Sequence, residues 1–257
     1  MRVLITNDDG IGSAGLHALA GVAVEAGLDV VVAAPSREFS GASAALTAVE
    51  AGGRIVIEPK ELPGLPGVEA YAVAASPAFV VLLAARGTFG PAFDVVLSGI
   101  NLGVNVGRAV LHSGTVGAAL TAADEDRRAL AISVDSGWGP DRQDPPRWDT
   151  AAAVAADLLP VVKDLPPGVA LNVNVPNVGY ADLRGTRRAG LARFGRVSMA
   201  IAERGDDFVR MGLHVSDDPL EPGTDEALVA GGYVAVTPLR PVREATDVAV
   251  SLPLNPT

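Results

Sequence analysis

The sequence predicts an α/β fold organised around a mostly parallel sheet, and two features of the chain support this. Residues 2–6 form a short apolar strand, residues 14–26 have the alanine- and leucine-rich composition of a helix, and residues 29–33 are rich in valine. Together they make a strand–helix–strand unit of the size typical of a parallel crossover. The largely apolar run at 93–97 is typical of a strand buried on both faces of a parallel sheet.

Later segments extend this pattern and then change it. From Leu183 onward, strand-like pieces at 183–191, 196–203 and 207–214 replace helices, which indicates an antiparallel arm that we expect to build subunit contacts. The prediction is a three-layer core at 1–180 and a β-rich arm with a C-terminal segment at 181–257, from which a strand at about 232–239 returns to the core. The other predicted elements are strands at 54–58, 69–74, 129–134 and 169–175 and helices at 77–85, 116–124 and 150–162.

Composition excludes several classes of function. The 257 residues include no cysteine, which rules out disulfides, thiolate metal sites and a cysteine nucleophile, and the three histidines are too far apart in sequence to favour zinc. A net charge of −10 disfavours binding to nucleic-acid polymers. The N-terminal apolar stretch is too short for a secretory signal, and no apolar run reaches the length of a membrane span. A cytoplasmic protein with no membrane partner is expected.

Two adjacent carboxylates, Asp8 and Asp9, follow the first predicted strand directly. Like charges that share a site repel, and a bound cation removes that repulsion. Oxygen ligands suit Mg²⁺, Mn²⁺ or Ca²⁺, and ligands of open α/β sheets bind just beyond the carboxyl ends of the strands. The alternative is an ordinary loop in which Asp9 or Ser13 caps the next helix.

The glycines at 10, 12 and 15 offer a different interpretation of the same turn. Their spacing matches the fingerprint of dinucleotide-binding folds, which would indicate an NAD-dependent enzyme. However, Asp8 and Asp9 would repel a pyrophosphate, and no acidic residue ends the second strand at the position that binds ribose. Dinucleotide binding is therefore the weaker explanation.

Polar residues also follow the other predicted strands. Ser40 lies in a small polar loop after the second strand, and Asn101 and Asn105 lie in a glycine-rich stretch after the strand at 93–97. Residues 112–115, His-Ser-Gly-Thr, stand immediately before a helix. Ser113 or Thr115 could serve only as an N-cap, but a helix start with a hydroxyl and free N–H groups is also an anion site.

These residues converge on one edge of one sheet. Two carboxylates, a hydroxyl and an amide oxygen would surround a hard cation, and the residues at 113–115 would form an anion cradle beside it. This arrangement suits phosphoryl transfer to water, because a metal ion can polarise a phosphate oxygen.

The same stretches resemble the SurE family, the survival-protein-E type of 5′-nucleotidases. The resemblance covers nearly the whole chain, and the motifs occur in the order that the family shows. They are Thr6-Asn7-Asp8-Asp9-Gly10, Ser40-Gly41-Ala42-Ser43, Ser98-Gly99-Ile100-Asn101 with Gly103 and Asn105, Ser113-Gly114-Thr115-Val116, Asn172-Val173-Asn174-Val175-Pro176, Gly223-Thr224-Asp225, and Gly232-Tyr233-Val234 with Thr237-Pro238-Leu239.

The resemblance implies a Rossmann-like α/β core, a homodimer or homotetramer, and one divalent ion per subunit, Mg²⁺ or Mn²⁺ with Ca²⁺ as an alternative. The implied substrates are nucleoside 5′-monophosphates, with 3′-monophosphates and short polyphosphate as further ones. The implied metal ligands are Asp8, Asp9, Ser40 and Asn101, of which Asp8, Asp9 and Asn101 are also the expected catalytic residues. The implied phosphate-pocket residues are Asn7, Gly41, Ser43, Asn105, Ser113, Gly114 and Thr115, and His112 is added as a hypothetical proton donor.

Several alternatives stay open at this point. An oriented water is the simplest nucleophile, and a covalent phosphate on Asp8 is the alternative. His112 could also serve only to pack at the helix start, and His17 and His214 are expected to be structural. The chain also departs from the family at three places. Residues 75–80 replace the family's usual motif before the second helix, and Phe39 stands where the family has a basic or polar residue. The C-terminus is short of the family's final helix. A nucleotide- or metal-binding protein without turnover is therefore the competing hypothesis.

Overall fold

The structure is a computed structural model that describes residues 1–49, 52–136, 144–193, 197–205, 207–215 and 219–247. It contains eleven strands and five α-helices in those ranges, together with short 3₁₀ turns at Gly107–His112 and Tyr180–Asp182. In chain order the elements are β1 (Arg2–Thr6), α1 (Ala14–Glu25), β2 (Asp29–Pro35), β3 (Ile57–Lys60), β4 (Glu69–Val73), α2 (Pro77–Ala85), β5 (Val95–Leu102), α3 (Gly114–Asp124), β6 (Arg128–Val134), α4 (Trp148–Asp164), β7 (Val169–Val175), β8 (Thr186–Arg188), β9 (Val197–Arg204), β10 (Val209–Val215), α5 (Asp225–Ala230) and β11 (Val234–Leu239).

The main sheet has nine strands in the order β3-β4-β2-β1-β5-β6-β7-β11-β8. The six strands from β4 to β7 are parallel, whereas β3 and β11 run antiparallel to their neighbours β4 and β7. The chain moves outward from β1 to β2 and later returns to place β5 on the other side of β1. The carboxyl ends of β1 and β5 therefore form the switch point at which ligands bind in such sheets.

Helices cover both faces of this sheet, which confirms the predicted α/β architecture. On one face, α1 and α4 pack apolar side chains such as Leu16, Leu19 and Leu158 against strand residues such as Ile5 and Leu97. On the other face, α2 and α3 contribute small side chains that lie against Leu4, Val96 and Ala129. Alanine is frequent in α3, and its small side chains let this helix lie close to the strands that carry the polar loops.

The first crossover shows why a glycine stands at the start of α1. Ser13 caps the helix by accepting a hydrogen bond from the Leu16 N–H, as the loop interpretation of this turn allowed. A Cβ at Gly15 would lie 2.0 Å from the carbonyl oxygen of Ile100 in β5. The close packing of α1 on the sheet accounts for this glycine without any bound dinucleotide.

Most predicted elements are confirmed within a few residues, and the differences have physical causes. The strand predicted at 93–97 is β5, which continues to Leu102 because Asn101 and Leu102 pair with Ser133 and Val134 after an irregularity in the ladder. Ser76 holds the N-cap position of α2 as predicted, but its hydroxyl donates to the Ala45 carbonyl and not to the helix.

The C-terminal third contains one helix that the prediction missed. The segment at 216–225 was expected to be a loop, yet α5 begins at Asp225 with Thr224 as its N-cap. The signal was present in the sequence, since a threonine followed by Asp225 and Glu226 is a typical helix start. The strand expected at about 232–239 corresponds to β11, which pairs with β7 in the main sheet.

The remaining strands form a separate hairpin. β9 and β10 pair antiparallel in a two-stranded sheet, as the sequence predicted, although residue 196 of the predicted piece 196–203 lies outside the described residues. The piece predicted at 183–191 shortens to β8, which joins the edge of the main sheet beside β11. Within the described ranges, no helix has the length and apolar character needed to cross a bilayer.

Candidate active site

A cavity of about 460 Å³ lies at the switch point, beyond the carboxyl ends of β1 and β5. The loops that follow β1, β2 and β5 all contribute to it, so side chains far apart in sequence meet there. Its lining contains most of the polar residues predicted for the site. These are Asp8, Asp9, Ser40, Gly41, Asn101, Asn105, His112 and Ser113, joined by Glu38, Leu102 and Ala109.

Four predicted residues do not line this cavity and lie behind it. Asn7 is fully buried and ties its own loop together, because its side chain bonds to Gly10 and Ser13. Ser43 donates its hydroxyl to the Leu111 carbonyl at 2.6 Å. Gly114 and Thr115 are buried at the start of α3, where they contact Asp8. The structure therefore places these residues as supports of the cavity wall.

Asp8 is almost completely enclosed, with 5% of its surface exposed. Burial raises the pKa of its carboxyl above the ordinary value, while the Thr115 hydroxyl and nearby backbone N–H groups of α3 act in the opposite direction. The Thr115 hydroxyl donates to Asp8 Oδ1. The start of α3 thus holds one carboxylate oxygen in place and favours its charged form.

Asp9 is the more accessible of the two carboxylates, and its electrostatic environment is unfavourable. Burial, followed by repulsion from Asp8 and from Glu38, raises its pKa to about 7, against only a small opposing effect of the Leu102 backbone. Burial is the largest cause of this shift, and the repulsion from Asp8 and Glu38 adds to it, so the protein does not compensate the charge of Asp9. A bound cation would supply the missing positive charge.

The remaining oxygen donors keep atoms available for a hard cation. The Asn101 side-chain nitrogen donates to the Gly103 carbonyl at 2.5 Å, which leaves the amide oxygen as the atom without a partner among the described residues. The Ser40 hydroxyl donates to Glu38 Oε1 at 2.6 Å and keeps its lone pairs for another contact. Two carboxylates, one amide oxygen and one hydroxyl fit Mg²⁺ or Mn²⁺.

The fit rests on mixed ligands and not on a cluster of acidic residues. Within the described ranges, no group of three or more histidine or acidic side chains is placed to hold a metal ion. Glu38 lines the cavity with Asp8 and Asp9, but the three carboxylates are not placed to hold one ion together. Its visible roles are to hold the Ser40 hydroxyl and to add negative charge near Asp9.

Asn105 is fixed by a buried network on β6 and β7. Its backbone N–H donates to Asn174 Oδ1 at 2.7 Å, and its carbonyl accepts from the side chains of Asn172 and Asn174 at 2.8 and 3.0 Å. Its side-chain nitrogen donates to the Ser133 hydroxyl at 2.9 Å. Both β7 asparagines are fully buried, so these bonds are shielded from water and hold the loop between Asn101 and Asn105 on the sheet.

The helix start at 113–115 combines the two roles that the sequence left open. Ser113 caps α3 by accepting a hydrogen bond from the Val116 N–H at 3.1 Å, and it also lines the cavity. A Cβ at Gly114 would lie 2.8 Å from both Cβ and Oδ2 of Asp8. The helix start therefore packs directly against Asp8, and the backbone N–H groups of Gly114 and Thr115 bond to its carboxylate.

The histidines occupy different environments. His112 ends the 3₁₀ turn after β5, is exposed and lines the cavity. His17 lies in α1, where its ring contacts the Ile11 carbonyl at 3.1 Å, as a structural role would require. The side chain of His214 lies outside the described residues.

The sequence alone did not assign three polar residues that the structure brings to the site. Glu38 lies in a loop expected to be mostly an ordinary surface connection, and only the cavity reveals its position. Asn172 and Asn174 belong to a motif that had been noted without a role. Their signal was the presence of two amides in a strand otherwise made of apolar residues, since buried polar groups need partners.

Comparison with known proteins places this geometry in a family. The family model described as survival protein SurE matches residues 3–200. A protein of Stenotrophomonas maltophilia named 5′-nucleotidase SurE is 35% identical over 248 residues, covering 93% of this chain and 90% of its own length. A protein of the same name from Actinobacillus pleuropneumoniae is 36% identical over 254 residues, covering 93% and 94%.

The fold agrees with these sequence matches. A crystal structure of the SurE protein from Aquifex aeolicus superposes with a TM-score of 0.73 at 30% sequence identity, and the match covers 93% of each chain. The match extends through the core and beyond it. Since sequence and fold agree over nearly the whole length, the chain belongs to the survival protein SurE family.

Proposed function

We propose that this chain is a metal-dependent 5′-nucleotidase that hydrolyses nucleoside 5′-monophosphates to nucleoside and phosphate. The names of its relatives support the nucleotidase activity. The observation that carries the metal dependence is the pair Asp8 and Asp9, whose charges are unbalanced in a cavity that also offers an amide oxygen and a hydroxyl. Activity on 3′-monophosphates and short polyphosphate is a further part of the proposal.

The residues that would hold the metal ion are Asp8, Asp9, Ser40 and Asn101. A divalent ion in this position supplies positive charge that stabilises a phosphate oxygen. Asp8 is kept in place by Thr115 and by the start of α3, and Asn101 by its bond to Gly103. These ligands are therefore preorganised, which lowers the cost of assembling the site.

The phosphate group would lie between the metal ligands and the start of α3. The Ser113 hydroxyl and Asn105 line the same cavity and are available to contact its oxygens, and the positive end of α3 favours its negative charge. Contacts of this kind accelerate the reaction when they become stronger as charge redistributes in the transition state.

The reaction replaces the ester oxygen on phosphorus by the oxygen of water. The water oxygen forms a bond to phosphorus, the bond between phosphorus and the ester oxygen breaks, and its electron pair leaves with the nucleoside oxygen. That oxygen takes up a proton, and the water gives up one, so that nucleoside and inorganic phosphate are the products. We assign delivery of the proton to His112, because it lines the cavity from the exposed side.

His112→Ala is expected to slow hydrolysis of AMP by about 10²-fold, a typical contribution of a general acid. It should slow hydrolysis of p-nitrophenyl phosphate much less, because p-nitrophenolate leaves without being protonated. The measurement is kcat for both substrates. Equal losses on both substrates would contradict the proton-donor role and indicate that His112 only supports the helix start.

The experiment that tests the proposed function is phosphate release from a panel of substrates by folded protein supplied with Mn²⁺ or Mg²⁺. The panel contains a nucleoside 5′-monophosphate, the matching 3′-monophosphate, p-nitrophenyl phosphate and short polyphosphate. Release from the 5′-monophosphate supports the proposal, and the other substrates define its range. Tight nucleotide binding without release of phosphate from any of them would overturn the enzyme proposal in favour of a binding protein.

The protein is also proposed to form a homodimer or homotetramer through the region 181–257. Ile201, Phe208 and Val209 on the hairpin are each half-exposed, which is unusual for large apolar side chains on a short two-stranded sheet. Light scattering of the full chain should give two or four times the mass of 26.1 kDa. A monomer at micromolar concentration would contradict this assembly.

A further inference from the structure

An open surface depression of about 540 Å³ over residues 37–42, called the second cavity below, adjoins the proposed metal cavity. The two cavities share Glu38, Ser40 and Gly41, so they lie next to each other along the same loop. The second cavity adds Arg37, Phe39 and Ala42 to its lining.

The loop that forms this second cavity is anchored to the loop that carries the carboxylates. The Phe39 N–H donates to the Asp8 carbonyl at 2.8 Å, and the Ile11 N–H donates to the Pro35 carbonyl at 2.9 Å. Gly10 has φ +97°, and a Cβ there would lie 3.3 Å from the backbone of Arg37. The backbone that carries the aromatic ring is therefore anchored beside the proposed metal ligands.

Two side chains give the second cavity its chemical character. Among the residues that the structure describes, Phe39 is the only aromatic one that lines either cavity, and the Arg37 guanidinium carbon lies 5.2 Å from the centroid of its ring. Arg37 is exposed and has no ion pair among the described residues, although the chain carries a net charge of −10. An aromatic ring with a guanidinium over it, and no ion pair that holds the guanidinium there, suits a planar, hydrogen-bonding ring.

We propose that Phe39 and Arg37 form the nucleobase subsite of this protein. This inference rests on the proposed function, since the phosphate must lie in the metal cavity for the base to reach the second one. The base stacks on the Phe39 ring, and the Arg37 guanidinium either stacks with it or donates to its ring oxygen or nitrogen atoms. The sugar occupies the region that both cavities share, next to Ser40 and Gly41.

The test compares two substrates that differ only by the base, AMP and ribose 5-phosphate. Phe39→Ala is expected to lower kcat/KM for AMP by about 5- to 150-fold, the range that corresponds to loss of one base–aromatic stack. It should leave kcat/KM for ribose 5-phosphate within about twofold. Phe39→Trp should retain or improve activity on AMP, because its ring offers a larger stacking surface.

Controls separate this subsite from the proposed function and from a purely structural role. Leu46→Ala removes a side chain that is 57% exposed a few residues later in the chain and lines neither cavity, and it should change kcat/KM for neither substrate.

Equal losses on AMP and ribose 5-phosphate in Phe39→Ala would overturn the subsite, since the residue would then support the metal site. If Arg37→Ala impairs ribose 5-phosphate as strongly as AMP, Arg37 binds phosphate and the proposed subsite is wrong. If the wild-type protein hydrolyses neither substrate, the proposed function fails, and the subsite with it. Hydrolysis of both with an unchanged ratio in Phe39→Ala contradicts only the subsite.

Discussion

Replacing Asp9 by asparagine is expected to stabilise the metal-free protein at pH 8 while it abolishes nucleotide hydrolysis. In the folded protein, burial and the charges of Asp8 and Glu38 raise the pKa of Asp9 from its ordinary value of 3.8 to about 7. The folded state therefore holds this proton more tightly than the unfolded state. Its contribution to stability is present below pH 4 and is lost as the pH rises to 7 and above.

The asparagine side chain carries no charge, so the variant does not lose stability as the pH rises through 7. Because Asp9 is only partly buried, we expect a modest increase of about 2–5 °C in the unfolding temperature at pH 8 in the presence of a chelator. The same variant should lose the stabilisation that Mn²⁺ gives to the wild-type protein and about 10³-fold or more in kcat. A residue that lowers stability and supports activity is typical of a functional site.

Thermal unfolding at pH 5 and pH 8, with chelator and with Mn²⁺, measures these effects. Asp207→Asn is the matched control, because it removes an exposed carboxylate from the hairpin turn and lies outside both cavities. It should leave activity and the Mn²⁺ effect unchanged. An Asp9→Asn protein that is still stabilised by Mn²⁺ as strongly as the wild type would contradict the assignment of Asp9 as a metal ligand.

Gly114→Ala is expected to lower activity by about 10²-fold although it adds only one methyl group. A Cβ at this position would lie 2.8 Å from Cβ and Oδ2 of Asp8, so either the start of α3 or the carboxylate must move. Displacement of a catalytic group by about 1 Å is enough for a loss of this size. The affinity for Mn²⁺ should fall together with kcat, because both depend on the position of Asp8.

Gly21→Ala provides the matched control for this substitution. Gly21 also lies in a helix, α1, but no heavy atom lies within 4 Å of the Cβ that alanine would add. This variant should be fully active and more stable by about 0.5–1 kcal/mol, since alanine favours helix interiors over glycine. Wild-type activity in Gly114→Ala would show that the contact with Asp8 relaxes without consequence and would weaken the role given to the start of α3.

The sequence predicted the fold well because its signals are local and consistent. A strand that ends in Asp8 and Asp9, a capped helix and a valine-rich strand define the first crossover. Because parallel strands run in the same direction, the loops that follow them must lie at the same edge of the sheet. The element bounds failed where tertiary contacts decide them, as in β5, whose last two residues are strand because they pair with β6.

The residue types of the candidate site were predictable, but not which of them line the cavity. Asp8, Asp9, Ser40 and Asn101 were expected together, and all four line one cavity. Side-chain packing decides which residues face the cavity, and the sequence does not show that packing. Asn7 and Thr115 were therefore expected in the pocket, although both are fully buried. Glu38 was missed because a carboxylate in a polar loop resembles any surface residue until neighbouring loops are placed around it.

The most direct test of the central claim is phosphate release from AMP by metal-stripped wild-type protein and by Asp9→Asn, each measured before and after addition of Mn²⁺. The proposal predicts no release by either protein without metal, and release that returns on adding Mn²⁺ to the wild type alone. Equal release by both proteins, or release by the wild type that needs no metal, would contradict a metal-dependent nucleotidase centred on Asp8 and Asp9.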